Sequence, residues 1–273
     1  MENERAPIPW KALLVDLAQA VRFYSRLRVP ALPFETDPYA VPDFQRLARI
    51  LPLAGLVLGL VPALVLAIAL FLDLGPWLAA TLSVAAMTIV TGAFHEDGLA
   101  DTADGFGGGA SPERRLAIMR DSLIGSFGAS AIALAFALRI AALATLADRL
   151  DPMQAALTVV IAASLSRTVG LMPITLLPPA RQDGASYAVG RPSREALWWA
   201  ASFAVGIAVL LGVPGALPVP GLVLMVGLSA LAGIALTRLS DRLIGGQTGD
   251  VAGAAQQVAE ILALVGLLIA VEP

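Results

Sequence analysis

Apolar runs of about 18 to 25 residues recur along this chain, each long enough to cross the ~30 Å hydrocarbon core of a bilayer as a helix. In lipid a backbone must satisfy its own polar groups, so runs of this length have little choice but helix. They cover roughly 51–72, 76–94, 125–147, 153–179, 197–214, 219–237 and 250–271. Composition agrees: 58% of the 273 residues are hydrophobic and 14% charged, against roughly 45–50% apolar in soluble domains. The predicted fold is all-α, a polytopic integral membrane bundle of about seven transmembrane helices. No long polar linker divides it, so one membrane-embedded domain over 1–273 is expected, with 1–50 as a cytoplasmic or interfacial segment and 51–273 as the bundle. Pro173 predicts a kink or early stop in the fourth span, and Pro214, Gly215, Pro218 and Pro220 a tight turn after the fifth.

Basic residues set the orientation. Fifteen of the 18 Lys and Arg residues fall in the N-terminal segment and in three polar loops, 95–124, 180–196 and 238–250. Only Arg149 falls on the opposite side, and Arg139 and Arg167 lie inside spans. The N-terminus and the three loops are therefore expected in the cytoplasm, with the active site facing it. The opening residues, MENERAPIPWKALLVDL, are too acidic and too interrupted for a signal peptide. Residues 10–27 read as an amphipathic helix on the membrane surface, or else as a segment packed on the bundle. A net charge of −3 gives no reason to expect a nucleic-acid partner, and the absence of cysteine excludes disulfides, thiolate metal sites and cysteine nucleophiles.

The chemistry concentrates in FHEDGLADTAD, residues 94–104, which holds the single histidine and four acids. Asp97, Asp101 and Asp104 stand at i, i+4 and i+7, within about a 60° arc of one helix face. Carboxylates ~6 Å apart repel by roughly 3 kcal/mol per pair at an effective dielectric near 20. A hard divalent cation with oxygen ligands, Mg²⁺ above all, would relieve that repulsion. The second span is expected to run on past the membrane surface and present this face to the metal. Glu96 lies about 100° from Asp97 and is a weaker ligand candidate. His95 is open to three roles: general base, substrate contact or structural hydrogen bond.

Glycines 105, 107 and 108 follow at once, and such a run can let backbone N–H groups approach a diphosphate or can simply stop a helix. Ser111 and Pro112 then look like a helix start. Arg120 and Asp121 sit where the chain returns to the membrane, suited to phosphate pairing and to completing a metal shell. Arg167 lies inside the fourth span and needs a partner there; Arg139 is nearer its helix end and is expected to snorkel. Arg181, in Arg181-Gln182-Asp183-Gly184, belongs to a candidate substrate lid. Thr248 and Asp250 open the last span, where one of them caps the helix and free N–H groups could hold an anion. Gln257 and Glu260 continue that polar stripe into the membrane and point to a cavity.

HEDGLADTADGFGGG followed by RLAIMRDSLIGSFG resembles the signature of the bacterial cobalamin synthase family, the adenosylcobinamide-GDP ribazoletransferases. GGQTGDVAGA, ARQDG and FYSRLRVP are similar to weaker stretches of the same family, so the likeness runs from about residue 15 to the end. It implies a Mg²⁺-dependent enzyme of the bacterial inner membrane that completes the nucleotide loop of coenzyme B12. Adenosylcobinamide-GDP and α-ribazole (or its 5′-phosphate) would be the substrates, and GMP the leaving group. A homo-oligomer, or association with other B12-assembly enzymes, stays open. On that resemblance Asp97, Asp101 and Asp104 are the expected metal and catalytic residues, with Asp121 and Glu96 as further ligands. Catalysis would also draw on His95 and Arg120, and substrate contacts on Gly105, Gly107, Gly108, Arg167, Arg181, Thr248 and Asp250. Two rivals remain from the residues alone: a membrane phosphotransferase using a CDP-activated alcohol, and a cation-coupled transporter. A transporter would want acids near mid-bilayer in related halves, whereas these acids sit at one edge.

Overall fold

A computed structural model describes residues 10–38, 40–182, 187 and 189–272, and the described part is helical throughout its regular structure. The helices are α1 (Trp10–Tyr24), α2 (Phe44–Leu47), α3 (Leu51–Phe71), α4 (Pro76–Thr91), α5 (Phe94–Gly108) and α6 (Pro112–Ile118). They continue with α7 (Ser126–Arg149), α8 (Pro152–Leu176), α9 (Arg194–Gly212), α10 (Val219–Ile244) and α11 (Gly249–Ala270). Six are long and apolar enough to cross a membrane, the first running from Phe44 through α3, or seven if α4 and α5 count as one bent span. The expected all-α polytopic bundle is therefore what forms, and the predicted turn between the fifth and sixth spans separates α9 from α10.

The bundle is built around α8, whose spanning window is 89% buried against 33–67% for the other five spans. Small residues make that possible. A Cβ on Gly55 would lie 2.6 Å from the Ala163 carbonyl oxygen, and one on Gly59 2.9 Å from the Ala163 methyl. Two glycines one turn apart thus let α3 and α8 touch backbone to backbone, as membrane helices commonly do. Asp151 starts α8 with a reciprocal capping box: it accepts from the N–H groups of Met153 and Gln154, while the Gln154 side chain accepts from its own N–H. Pro173 lies in the last turn, and the helix ends at Leu176, short of the predicted 179.

The second span departs from expectation. It does not continue as one straight helix into the acidic motif. Gly92 (φ 65°) and Ala93 (φ 59°) both take the left-handed conformation, and α5 leaves α4 at 89°. Two consecutive left-handed residues cannot propagate a right-handed helix. The surroundings hold the break in place: Arg26 N–H donates to the Val90 carbonyl at 2.7 Å, and a Cβ on Gly92 would strike the Arg26 side chain. α5 is thus a separate helix and not one of the six long spans. It lies across the first turns of α7 and α11, where Gly98 meets the backbone of Asp250 and Gly128 meets Ala100.

α1 packs on the bundle, the second reading of the N-terminal segment. One face packs inward through Ala18, Ala20 and Val21, with buried Asp16 bonded to Arg46 at 3.0 Å. Trp10, Leu13 and Leu14 stay exposed on it. Arg22 then clasps Glu35 at 2.6 Å and takes the Val29 and Pro30 carbonyls, which fixes the strap that follows α1. The three polar loops converge at one end of the bundle. The Gln247 N–H donates to the Pro178 carbonyl at 2.8 Å, and Arg115 reaches the Leu243 carbonyl at 2.9 Å.

Candidate active site

Each ionisable side chain of α5 has its own destination. His95 is buried and stacks on Tyr24, centroids 5.4 Å apart and planes 6° apart. Glu96 is buried and bonds to Arg139 at 2.9 Å. Asp97 and Asp101 share the face that meets the start of α11, where Asp250 and Arg181 stand 3.4 Å apart. Asp104 turns to the start of α7 and accepts from the N–H groups of Gly125 at 2.7 Å and Gly128 at 2.8 Å. The helical spacing of the three aspartates is as expected. Asp104, however, commits one oxygen to each of two α7 amides, which separates it from Asp97 and Asp101.

The electrostatics of the face follow from this crowding. Burial first, then the charges of Asp97, Asp250 and Asp104, push the Asp101 carboxyl up to about 7, with Arg181 opposing. A carboxyl that holds its proton near neutrality because it is partly buried and set among other carboxylates marks a place short of positive charge. Among the described residues no three His, Asp or Glu side chains already close around a single point as metal ligands do. The chemistry of the donors nevertheless fits a hard divalent ion. Asp97, Asp101 and Asp250 offer oxygens from two helices, and their mutual repulsion is what such an ion would remove.

Two sequence expectations need correction. Arg139 does not snorkel: it sits mid-helix in α7, 1% exposed, and bonds to Glu96 (2.9 Å), Glu260 (2.8 Å) and Gln257 (3.1 Å). It escapes the cost of an isolated charge by pairing. That pairing also takes Glu96 out of the ligand set, because one oxygen is held by the guanidinium inside the bundle. The polar stripe of Gln257 and Glu260 turns to the same arginine, beside a cavity of about 20 Å³ that Arg139 and Glu260 line. The glycine run ends α5, the helix stop of its two readings. Gly105, Gly107 and Gly108 are the last residues of α5, and Cβ atoms on the first two would strike Met119 and the Phe127 ring. Gly105 and Gly107 serve close packing of α5 on α6 and α7.

The remaining candidates spread over the same end of the molecule. Thr248 caps α11, accepting from the Val251 N–H, and is fully buried. Arg167 is buried, reaches the Ala163 carbonyl at 3.1 Å and lies 3.9 Å from Glu260. It borders a cavity of about 40 Å³ shared with Tyr24, Phe94, His95 and Gln256, room for water. Arg120 and Asp121 are exposed after α6, and Asp121 closes a turn onto the Leu123 N–H. Asp183 and Gly184 of the candidate lid lie outside the described residues. Sequence reasoning missed Tyr24 altogether. The only signal was FYSRLRVP, a stretch with no charge pattern of its own to tie it to His95.

A polytopic helical membrane protein with clustered carboxylates and an arginine where its loops gather is the class this architecture defines. The chain belongs to the cobalamin-5-phosphate synthase family, whose model matches residues 16–268. It is 52% identical to the adenosylcobinamide-GDP ribazoletransferase of Azorhizobium caulinodans, over 96% of this chain and 98% of that one. The protein of the same name from Xanthobacter autotrophicus is 51% identical over 93% of this chain and 96% of its own. That from Bradyrhizobium diazoefficiens is 43% identical over 93% of each. No solved structure matches the chain.

Proposed function

We propose that this protein transfers adenosylcobinamide phosphate from adenosylcobinamide-GDP to α-ribazole or its 5′-phosphate, releasing GMP. The observation that carries the reading is the meeting of Asp97, Asp101, Asp250 and Arg181 at the loop end of the bundle, in a chain of this family. Family membership favours it over release of CMP from a CDP-alcohol and over ion-coupled transport.

Mg²⁺ fits the donors offered by Asp97, Asp101 and Asp250, and once bound would offset the charge of the diphosphate and of the departing GMP. Arg181 stands at the edge of the same cluster and steadies phosphate oxygens. A carboxylate of the cluster accepts the proton of the attacking ribose 3′-hydroxyl. Before any metal binds, burial and the neighbouring carboxylates push the Asp101 carboxyl up to about 7, and Mg²⁺ on the same oxygens would lower it again. His95, shut against Tyr24, holds the root of α5 rather than touching the reacting atoms. The excess of Arg and Lys at the loop end supports its facing the cytoplasm, and the bacterial relatives support a place in the inner membrane.

The test is GMP release and cobalamin formation by the purified, reconstituted chain, given adenosylcobinamide-GDP and α-ribazole. Turnover with Mg²⁺ that stops with EDTA is expected. Turnover unchanged by EDTA would remove the metal from the reading, and no product under either condition would remove the activity.

A further inference from the structure

A groove of about 430 Å³ opens between α8, α9 and α10, all membrane spans, and takes no part in the site on α5. Its walls are apolar, formed by side chains such as Val169, Met172, Val205, Val226 and Ile234. The two hydroxyls in those walls are already satisfied: Thr168 donates to the Ser164 carbonyl at 2.9 Å and Ser229 to the Ala259 carbonyl at 3.1 Å. The interior therefore offers nothing to a polar ligand and suits hydrocarbon. The mouth is different. Arg194, the first residue of α9, borders the groove, is exposed, and has no hydrogen-bond or ion-pair partner for its guanidinium among the described residues. One turn further along stand Trp198 and Trp199, 72% and 60% exposed. Paired tryptophans beside an arginine at the end of a span mark the headgroup level of a bilayer. Arg194 thus lies at phosphate depth, with the apolar groove descending beneath it.

We propose that this groove is a binding site for one anionic phospholipid, an acyl chain lying between α9 and α10 and the headgroup on Arg194. Chemistry separates this occupant from a second copy of the chain: the mouth of the groove holds a cation at headgroup depth, which a lipid phosphate meets and an apolar helix face does not. The unpaired guanidinium at the mouth separates it from a zwitterionic lipid, which brings no net charge to complement it.

The test uses the full chain with Trp10, Trp77 and Trp199 replaced by Phe, so that Trp198 alone reports. It is reconstituted in phosphatidylcholine bilayers that carry an equal small fraction of brominated phosphatidylglycerol or brominated phosphatidylcholine. Bromine in the groove quenches Trp198. The expected result is a roughly five-fold enrichment of the anionic lipid at Trp198, the ratio given by one cation near a headgroup. Arg194→Gln, an exposed position whose loss leaves the packing intact, should bring the two lipids level. Equal quenching by both lipids in the parent protein would reduce the groove to ordinary lipid contact and overturn the proposal. So would an anionic preference that survives Arg194→Gln, which would place the headgroup elsewhere. Loss of quenching as protein density in the bilayer rises would assign the face to self-association instead.

Discussion

Arg139 Nη1 lies 2.9 Å from Glu96 Oε1, with both side chains closed off from solvent. The same guanidinium bonds to Glu260 at 2.8 Å, and Glu260 is tied in turn to Gln256 at 2.8 Å and faces Arg167 at 3.9 Å. Two arginines and two glutamates from α5, α7, α8 and α11 thereby cancel in charge inside the bundle. Glu96 directly precedes Asp97. The acid helix, cut from α4 by the break at Gly92 and Ala93, is thus held at its root by an ion pair that decides where the next turn of α5 points.

Removing Arg139 leaves Glu96 buried without a cation and Glu260 with Arg167 alone, 3.9 Å away. Arg139→Ala should cost about 3–5 kcal/mol of stability, measured by unfolding in mixed micelles. Glu96→Gln keeps an acceptor for Arg139 and should cost less. If Arg139→Ala unfolds no more readily than the parent, the cluster contributes nothing to holding α5.

Asp97→Asn and Asp101→Asn should each lower transfer by about 10²-fold or more, the usual scale for losing a group that meets developing charge. Insertion should be unaffected and the metal-free protein should become no less stable, because neither carboxylate bonds to a neighbouring backbone and each change removes charge from a crowded face. Asp104→Asn should behave in the opposite manner. It weakens the bonds to Gly125 and Gly128 at the start of α7 and should cost about 1–2 kcal/mol of stability. Turnover per folded molecule should change less than in the other two. Turnover assays paired with unfolding curves separate the two patterns.

Span positions were legible from apolar run length alone, since a bilayer enforces helix on any such run; the limits of α3 and α11 were predicted to within a residue or two. The shared face of Asp97 and Asp101 was legible from spacing. Two features were not. The 89° break rests on Ala93 as well as Gly92, and an alanine carries no mark of a left-handed backbone that its neighbours impose. The partnership of Arg139 with Glu96 joins residues 43 apart in the chain, and periodicity cannot register a contact made by folding α5 back against α7. Spacing gave Asp104 the same standing as Asp97 for a similar reason. The two amides that claim it belong to a helix more than twenty residues away.

Asp101 also predicts how the metal-free protein responds to pH. Its carboxyl titrates near 3.8 when unfolded and near 7 when folded, so between those values the folded state binds more protons. Stability should therefore fall as pH rises from about 4 to 7 and level off above. Mg²⁺ should reverse the trend, stabilising the protein more at pH 8 than at pH 5, because it competes with the proton for the same oxygens. Thermal unfolding at several pH values, with Mg²⁺ or with EDTA, checks both statements. A Mg²⁺ effect of equal size at pH 5 and pH 8 would contradict them.

Gly98 offers the most economical test of whether the nearness of α5 to α11 matters. A Cβ there would lie 2.9 Å from the Asp250 carbonyl oxygen and 3.1 Å from its Cα, both backbone atoms that no rotamer change can move. Alanine is otherwise the better helix former, by about 1 kcal/mol. Gly98→Ala should therefore keep α5 helical while pushing it away from the first turn of α11, an overpacking cost of about 1–3 kcal/mol. The separation acts on the face where Asp97 and Asp101 meet Asp250. Apparent Mg²⁺ affinity and turnover should both drop, with far-UV circular dichroism unchanged. Gly249→Ala provides the control: it directly precedes Asp250 on α11, but a Cβ there meets nothing within 4 Å. If Gly98→Ala turns over like the parent, or no worse than Gly249→Ala, the closeness of the two helices is packing alone and Asp250 plays no part in the cluster.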